Sequence, residues 1–426
     1  MLRRSACLGL AVAAALATTR FVRADEPTPA ANLSLTPVLA DAATTPPPSK
    51  PLMAVLEGVG VGHPLEDAGI NITGFVEGAW TYNFDTPDNH TNVGRVFDFE
   101  DQDKQFSQAD LQISRSVDAT KGKFDIGFMV EWIYGSDARL IHSNGLNFYG
   151  PNNANVGLQP GPNEQFDLVQ ANVQLAIPVG TGLTITAGKF VTLLGYETIN
   201  PTGNPLYSHS YMFGFAIPFT NTGVIGKYNL TKDIALTLGM TRGWEQTSKD
   251  NNGSVDGIGQ LSWAVSDKFN IIVSAICGPE QDSDSSHYRS VIDVIATYQL
   301  GDNTKIGLNA DYGYGSRQGN DVGFDGKAGT ADWWGAAVYV SQKFDSHFTF
   351  NVRAEYFNDD DGARGLDTAV TELTAGLAIT PFPDNQWASG LLFRPEIRWD
   401  HANNEIFNDG GDKNQYTVGG DLIYAF

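Results

Sequence analysis

From Ile70 onwards the dominant period of the chain is two. Phe124, Ile126, Phe128, Val130, Trp132 and Tyr134 alternate with Asp125, Gly127, Met129 and Glu131. Successive strand residues point to opposite faces, so one face here is apolar, with aromatics at both ends, and the other is small or polar. Val169, Ala171, Val173, Leu175 and Ile177 alternate in the same way with Gln170, Asn172 and Gln174. Phe348, Phe350, Val352, Ala354 and Tyr356 oppose Thr349, Asn351, Arg353 and Glu355, and Leu391, Phe393, Pro395, Ile397 and Trp399 oppose Arg394, Glu396, Arg398 and Asp400. In a soluble sandwich the apolar face meets a second sheet. In an outer-membrane barrel it meets lipid, with aromatics at the two interfaces.

The connections discriminate between these. Ser116 to Gly122, Pro178 to Gly182, Thr231 to Asp233, Ser266 to Lys268, Gly301 to Asn303 and Asp345 to His347 are short. Between them lie longer polar stretches, Asn83 to Lys104, Ser136 to Glu164, Thr192 to Phe215, Ser316 to Thr330 and His401 to Lys413. This alternation predicts an all-β fold: a transmembrane antiparallel up-and-down β-barrel of about sixteen strands, with short periplasmic turns and long external loops. The barrel is expected to span 70–426.

The N-terminal end points to export. Arg3 and Arg4 precede an apolar run from Cys7 to Ala17, and Val22-Arg23-Ala24 offers a cleavage site before Asp25, so 1–24 reads as a signal peptide. Pro and Ala dominate Pro27 to Pro51, which makes 25–69 a stiff periplasmic leader, with a helical turn expected over Leu52 to Gly58. Cleavage leaves Cys277 as the mature chain's one cysteine. That excludes a disulfide within the mature chain and any cysteine-based metal site. No apolar run reaches the length of about 20 residues that a membrane helix needs. An exported chain that enters a membrane without helical spans must close into a barrel.

Composition agrees. Charged residues make up 18 % and the chain has 46 glycines. A soluble domain carries nearer a quarter charged residues. The net charge of -22 disfavours a nucleic-acid partner. Acidic runs at Asp98 to Asp103, Asp282/Asp284 and Asp359 to Asp361 lack calcium-loop spacing, so they read as solvated loop carboxylates.

Alternation assigns an inward set of pore-lining candidates: Asp110, Asp125, Glu131, Lys227, Arg353, Glu355, Glu372, Arg394, Glu396, Arg398 and Asp421. The residues of the last four strands should share one wall. Walls of charge set selectivity in pores, and opposite charges on neighbouring strands also pair with one another. Thr192 to Phe215 is a candidate constriction loop because Tyr207, His209, Tyr211 and Phe213 make it too aromatic for a solvated loop. The alternative is an external cap or a subunit contact. The chain ends on alternating residues closing at Tyr424 and Phe426, the pattern of a barrel-assembly signal.

His142-Ser143 resembles a phospholipase His/Ser motif, but the two residues are adjacent and an extended strand would turn them to opposite faces. No catalytic residue, metal ligand set or cofactor is expected, and the chain is not read as an enzyme.

Leu65-Glu66-Asp67-Ala68-Gly69-Ile70 leading into Gly74-Phe75-Val76-Glu77-Gly78 resembles the start of the putative beta-barrel porin-2 (OmpL-like) family. Gly188-Lys189-Phe190 with Leu194-Gly195-Tyr196-Glu197, and Ala216-Ile217-Pro218-Phe219-Thr220 followed by Asn221-Thr222-Gly223-Val224, carry the same resemblance. It covers residues 65–426 and implies an outer-membrane pore, with no substrate and no catalytic residues.

The expected function is therefore that of an outer-membrane porin passing small hydrophilic solutes or ions down their gradients. The alternative is a non-conducting barrel acting as adhesin or anchor. A gated active transporter needs about 22 strands and a plug. The partners implied are outer-membrane lipid and lipopolysaccharide, the barrel-assembly machinery and the solutes themselves. The sequence leaves open whether three barrels associate as a homotrimer.

Overall fold

The computed structural model describes residues 51–102, 104–146, 162–316 and 329–426. The expected signal peptide, the leader up to residue 50 and Asp103 lie outside the described residues. Two short helices, α1 (Pro51–Gly58) and α2 (Gly62–Asp67), precede the sheet, so the helical turn expected from Leu52 is present. The Ala68 carbonyl accepts a hydrogen bond from Arg115 Nε at 2.9 Å. Gly69, at φ +71°, then turns the chain into the first strand.

The strands are β1 (Ile70–Asn83), β2 (Lys104–Arg115), β3 (Asp125–Gly135), β4 (Gln165–Ile177), β5 (Leu183–Val191), β6 (Thr220–Asn229), β7 (Ile234–Thr241) and β8 (Asp256–Ser266). They continue with β9 (Phe269–Gln281), β10 (Asp284–Leu300), β11 (Thr304–Ser316), β12 (Thr330–Lys343), β13 (Phe348–Asn358), β14 (Ala369–Ile379), β15 (Leu391–Ala402) and β16 (Asn414–Ala425). Each pairs antiparallel with its neighbours in sequence, and β1 pairs with β16 to close the barrel. Closure leaves no free edge, which a sheet in hydrocarbon requires. Phe426 completes the seam: its amide donates to the Gly74 carbonyl at 2.8 Å and its carbonyl accepts from the Gly74 amide at 3.0 Å. Tyr424 faces outward, and its hydroxyl donates to the Trp387 carbonyl.

The apolar face of the alternation forms the outside. Ile126, Val224, Ile397 and Leu422 are each more than half exposed, within a belt that also exposes Phe350, Trp334 and Tyr134. An apolar surface of that extent requires lipid. No helix of the described residues is long and apolar enough to cross a membrane.

Three local expectations change. Val169 was expected to face lipid but is fully buried. β4 carries a bulge there: Glu131 pairs with Gln170 and Trp132 with Leu168, so Val169 is the extra residue and reverses the facing beyond it. The alternation of short and long connections breaks at β9–β10, a long hairpin closed by Asp282 and Ser283 alone. Finally, β8 to β10 carry apolar residues on both faces. Ile258, Ile272, Ile276, Val291 and Ile295 point inward and are buried, opposite the outward Trp263, Val273 and Tyr298. They are not water-lined because they pack with Leu193, Leu194 and Ile217 of the connection between β5 and β6 in one apolar cluster.

Candidate functional site

The connection from β5 to β6 forms no strand. Pro201 and Pro205 cannot donate to a ladder, and the chain instead makes a 3-10 turn at Pro201–Gly203 and a π-helical turn at Met212–Ala216. Asn200 starts the first turn by accepting the Thr202 amide at 3.0 Å. The segment lies inside the barrel, because its backbone meets inward side chains around most of the circumference. The Leu193 carbonyl accepts from Gln260 on β8 and Ser274 on β9, at 2.8 and 2.9 Å. The Tyr196 amide donates to Asn309 on β11. The Ile199 and Ala216 carbonyls accept from Gln108 on β2 and Trp333 on β12.

Its firmest attachment is to the charged wall of β13 to β16. Arg353 donates to Glu372 at 2.9 Å, to Glu197 of the segment at 2.7 Å and to the Ser208 carbonyl at 2.6 Å. Arg394 pairs with Asp421 and donates to the carbonyls of Pro201 and Asn204, at 2.9 and 2.6 Å. Arg398 donates to Asp400 at 2.9 Å and to the His209 carbonyl at 2.6 Å. The carboxylates work the other way. Glu355 accepts the amides of Tyr211 and Met212 at 2.8 and 2.7 Å, and Glu396 those of Tyr207 and Ser208 at 2.9 and 3.2 Å.

The seven residues expected to share a wall do so, yet none is more than 6 % exposed. Strand neighbours pair in part (Arg353 with Glu372, Arg394 with Asp421), and several of the remaining donors and acceptors are taken up by backbone groups of the segment. Irregular backbone cannot satisfy itself as a helix does, so its amides and carbonyls need side-chain partners when buried. Charge-assisted hydrogen bonds to guanidinium and carboxylate are the strong form of that contact.

The four aromatic candidates are all buried in this arrangement. The Tyr207 hydroxyl lies 3.2 Å from Thr81 Oγ1, and the Tyr211 hydroxyl donates to Asp400 at 3.0 Å. His209 and Phe213 pack against the Phe97 ring, with centroids 4.9 and 5.7 Å away. Phe97 comes from the β1–β2 loop, whose Arg95 bridges Asp98 and Asp400, each at 2.5 Å.

Inner-wall glycines make room for the segment. A Cβ on Gly307 of β11 would sit 2.5 Å from the Tyr196 hydroxyl, and one on Gly335 of β12 would sit 2.6 Å from Met212 Cγ. Tyr196 is itself stacked on Tyr339 of β12, with centroids 4.1 Å apart.

The remaining candidates lie elsewhere. Asp110 and Glu131 are buried on the inner face of β2 and β3, with Gln170 donating to Glu131. Asp125 is at the end of β3, paired with Arg115 at 2.8 Å and partly exposed. Lys227 is half-buried on β6. Sequence reasoning left out Glu197, Arg95 and Asp400. Asp400 follows Arg398 in the same alternating phase, so a signal for it existed. Glu197 and Arg95 lie in loops, where no period reveals a facing.

His142 and Ser143 do not combine. His142 Nδ1 lies 2.8 Å from Asp167 and Nε2 lies 2.8 Å from Gln165, whereas Ser143 Oγ lies 2.9 Å from Thr220 Oγ1. Burial opposes charge on His142, but the bond to Asp167 and its negative charge outweigh that and raise the imidazole above its ordinary value. A His raised in this way stabilises the fold fully below its unfolded pKa, and the contribution is lost as pH rises through the folded value. Limited proteolysis between Ser136 and Leu146 should therefore accelerate as pH rises above the ordinary imidazole value of about 6.5. His142→Asn should flatten the profile; an equally steep profile in the variant would refute the pairing as its cause.

Of the acidic runs, Asp359 to Asp361 is structural, whereas Asp282 is exposed. Asp359 accepts the amides of Arg364 and Leu366, and Asp361 that of Asp332. Among the described residues Glu57, His63 and Glu66 bring ligand atoms within 4.8 Å of one another, but all three are exposed.

A closed sixteen-strand barrel with a lipid-facing belt and an inward-folded segment defines an outer-membrane protein of the porin class. Residues 69–426 match the model of the putative beta-barrel porin-2, OmpL-like family, and the chain belongs to that family. No curated protein matches it. Among solved structures, the outer membrane channel DcaP of Acinetobacter baumannii is 13 % identical, with a TM-score of 0.54 over 84 % of this chain and 97 % of that one. The anion-selective porin from Comamonas acidovorans is 11 % identical, with a TM-score of 0.55 over 84 % and 99 %. OprB of Pseudomonas putida is 13 % identical, with a TM-score of 0.55 over 87 % and 97 %. At such identities the likeness is one of fold.

Proposed function

We propose that the protein is a passive outer-membrane pore for small hydrophilic solutes or ions, and that residues 192–219 narrow it from within. The observation that carries this reading is the attachment of the segment by Arg353, Arg394 and Arg398 to one side of a sixteen-strand barrel. Barrels of that size leave an aqueous channel. A segment attached around much of the inner face, most firmly at that wall, reduces the channel's cross-section. The inner face away from that wall keeps partly exposed polar side chains, among them Gln112, Gln174 and Thr184.

One observation favours the second reading, a non-conducting anchor. Phe97, Phe213 and Phe219 pack together inside the barrel and bring apolar bulk into the lumen. Conductance of detergent-purified, refolded protein in a planar bilayer under a salt gradient separates the two. Discrete steps are expected, with a reversal potential that reports ion preference. Folded protein that inserts without steps would overturn passive diffusion in favour of the anchor.

A further inference from the structure

Beyond the charged wall, a second group of cations stands above the inward segment. Trp244, in the β7–β8 loop, is 2 % exposed. The guanidinium of Arg289 lies over its ring, 5.0 Å from the centroid, and that of Arg364 lies 4.9 Å from the same centroid. Arg364 is also 5.4 Å from the centroid of Trp333, which meets Trp244 edge to face at 6.5 Å. Arg289 points into the barrel, because it shares the facing of Val291 and Asp293, both buried on the inner face of β10. Stacking on indole fixes a guanidinium by its face and leaves its N–H edge for a ligand.

Those edges are largely unengaged. Among the described residues neither arginine has a carboxylate within ion-pair distance, although Arg95, Arg353, Arg394 and Arg398 all do. Arg364 Nε donates to the Phe215 carbonyl, which ties it to the inward segment. Its two terminal nitrogens, and all three nitrogens of Arg289, meet no protein acceptor among the described residues. None of these atoms is sealed from solvent, and both residues are half-buried.

The nearby acids are hydrogen-bonded to backbone amides. Glu280 accepts the Trp244 amide at 2.9 Å. Glu245 accepts the Phe219 amide at 2.5 Å. Burial pushes its carboxyl up to about 7, which lowers the negative charge it brings near neutrality.

We infer that Arg289 and Arg364, held on Trp244 and Trp333, form an anion-capture site at the external mouth, taking small solutes that carry a carboxylate or phosphate group. This rests on the pore reading and names the solute class it would favour. Two guanidinium edges match the oxygen pairs of such anions, which a chloride ion lacks. The link from Arg364 to Phe215 places the captured anion directly above the narrowed passage. The net charge of -22 gives no hint of this, because it sums over the whole chain.

The test is chloride conductance through single pores with inorganic phosphate added on the side of the long loops. Phosphate should reduce the current in the wild-type protein. In Arg289→Gln/Arg364→Gln the half-blocking concentration should rise by roughly tenfold or more, the loss expected for charge-assisted hydrogen bonds. Arg289→Gln alone disturbs no contact with the segment and should give a smaller rise. Phosphate block that is equal in the wild type and both variants would overturn the site, as would its absence from a conducting wild type. If the wild type shows no steps at all, the pore reading itself has failed.

Discussion

Arg353→Met should release the inward segment while leaving the barrel closed. Arg353 is fully buried and joins Glu372 of β14 to Glu197 and Ser208 of the segment. Removing one partner of a buried ion pair costs about 3–5 kcal/mol, because the remaining charges stay buried without compensation. Here Glu197 would lose its cation, whereas Glu372 keeps Arg398 Nε at 4.0 Å, and the stranded charge is relieved most simply by withdrawal of Glu197 with its segment. The strand ladder does not involve the Arg353 side chain, so the folded form should still resist heat and detergent. Single-channel current should rise and become noisy as the segment moves. A protein lacking Tyr196 to Ala216 sets the upper limit of that rise. Adding Glu197→Gln to Arg353→Met removes one stranded charge and should recover part of the wild-type quietness. Conductance and noise unchanged in Arg353→Met would sink the idea that the segment narrows the pore.

Filling the glycine seats should achieve release by a different route. A Cβ on Gly307 meets three atoms of Tyr196 within 2.6 Å, and Tyr196 cannot retreat because it is stacked on Tyr339. A Cβ on Gly335 meets Met212 within 2.7 Å and Phe357 at 3.0 Å. Overpacking a site of this kind costs about 1–3 kcal/mol, so Gly307→Val/Gly335→Val approaches the effect of losing Arg353. Valine suits a strand, and the ladder should be kept or strengthened. No charge is removed in this case. The current should therefore rise with little change in reversal potential, whereas Arg353→Met shifts both. A double variant with wild-type conductance would show that the aromatic side chains find room without moving the backbone.

These effects were legible in the sequence to different degrees. Arg353, Glu355, Arg394, Glu396 and Arg398 could be placed inside because their strands alternate cleanly with lipid-facing Phe350, Phe393 and Ile397. The aromatic content of Thr192 to Phe215 signalled that this connection is not solvated. What the wall and the segment do to each other was not legible, since it depends on backbone amides and carbonyls that every residue carries. Isoleucines on the inner face of β8 to β10 broke the expected polarity for the same reason. A strand that is apolar on both faces reads as ambiguous until something is known to cover its inner side. Arg289, Arg364 and Trp244 come from a strand and two loops far apart in the chain, and no local spacing joins them.

The amino-acid pattern by itself therefore determined the class of fold, the approximate number of strands, the closing strand and the facing of most charged residues. Those properties follow from a period of two read against a two-sided environment, and they are local. The tertiary structure alone decided that the charged wall holds a segment and does not face water. It also decided that Val169 turns inward at a bulge, and that two arginines meet over one indole. Each of these depends on which groups remain unsatisfied once the barrel has closed, a condition set by the whole molecule and by no stretch of sequence within it.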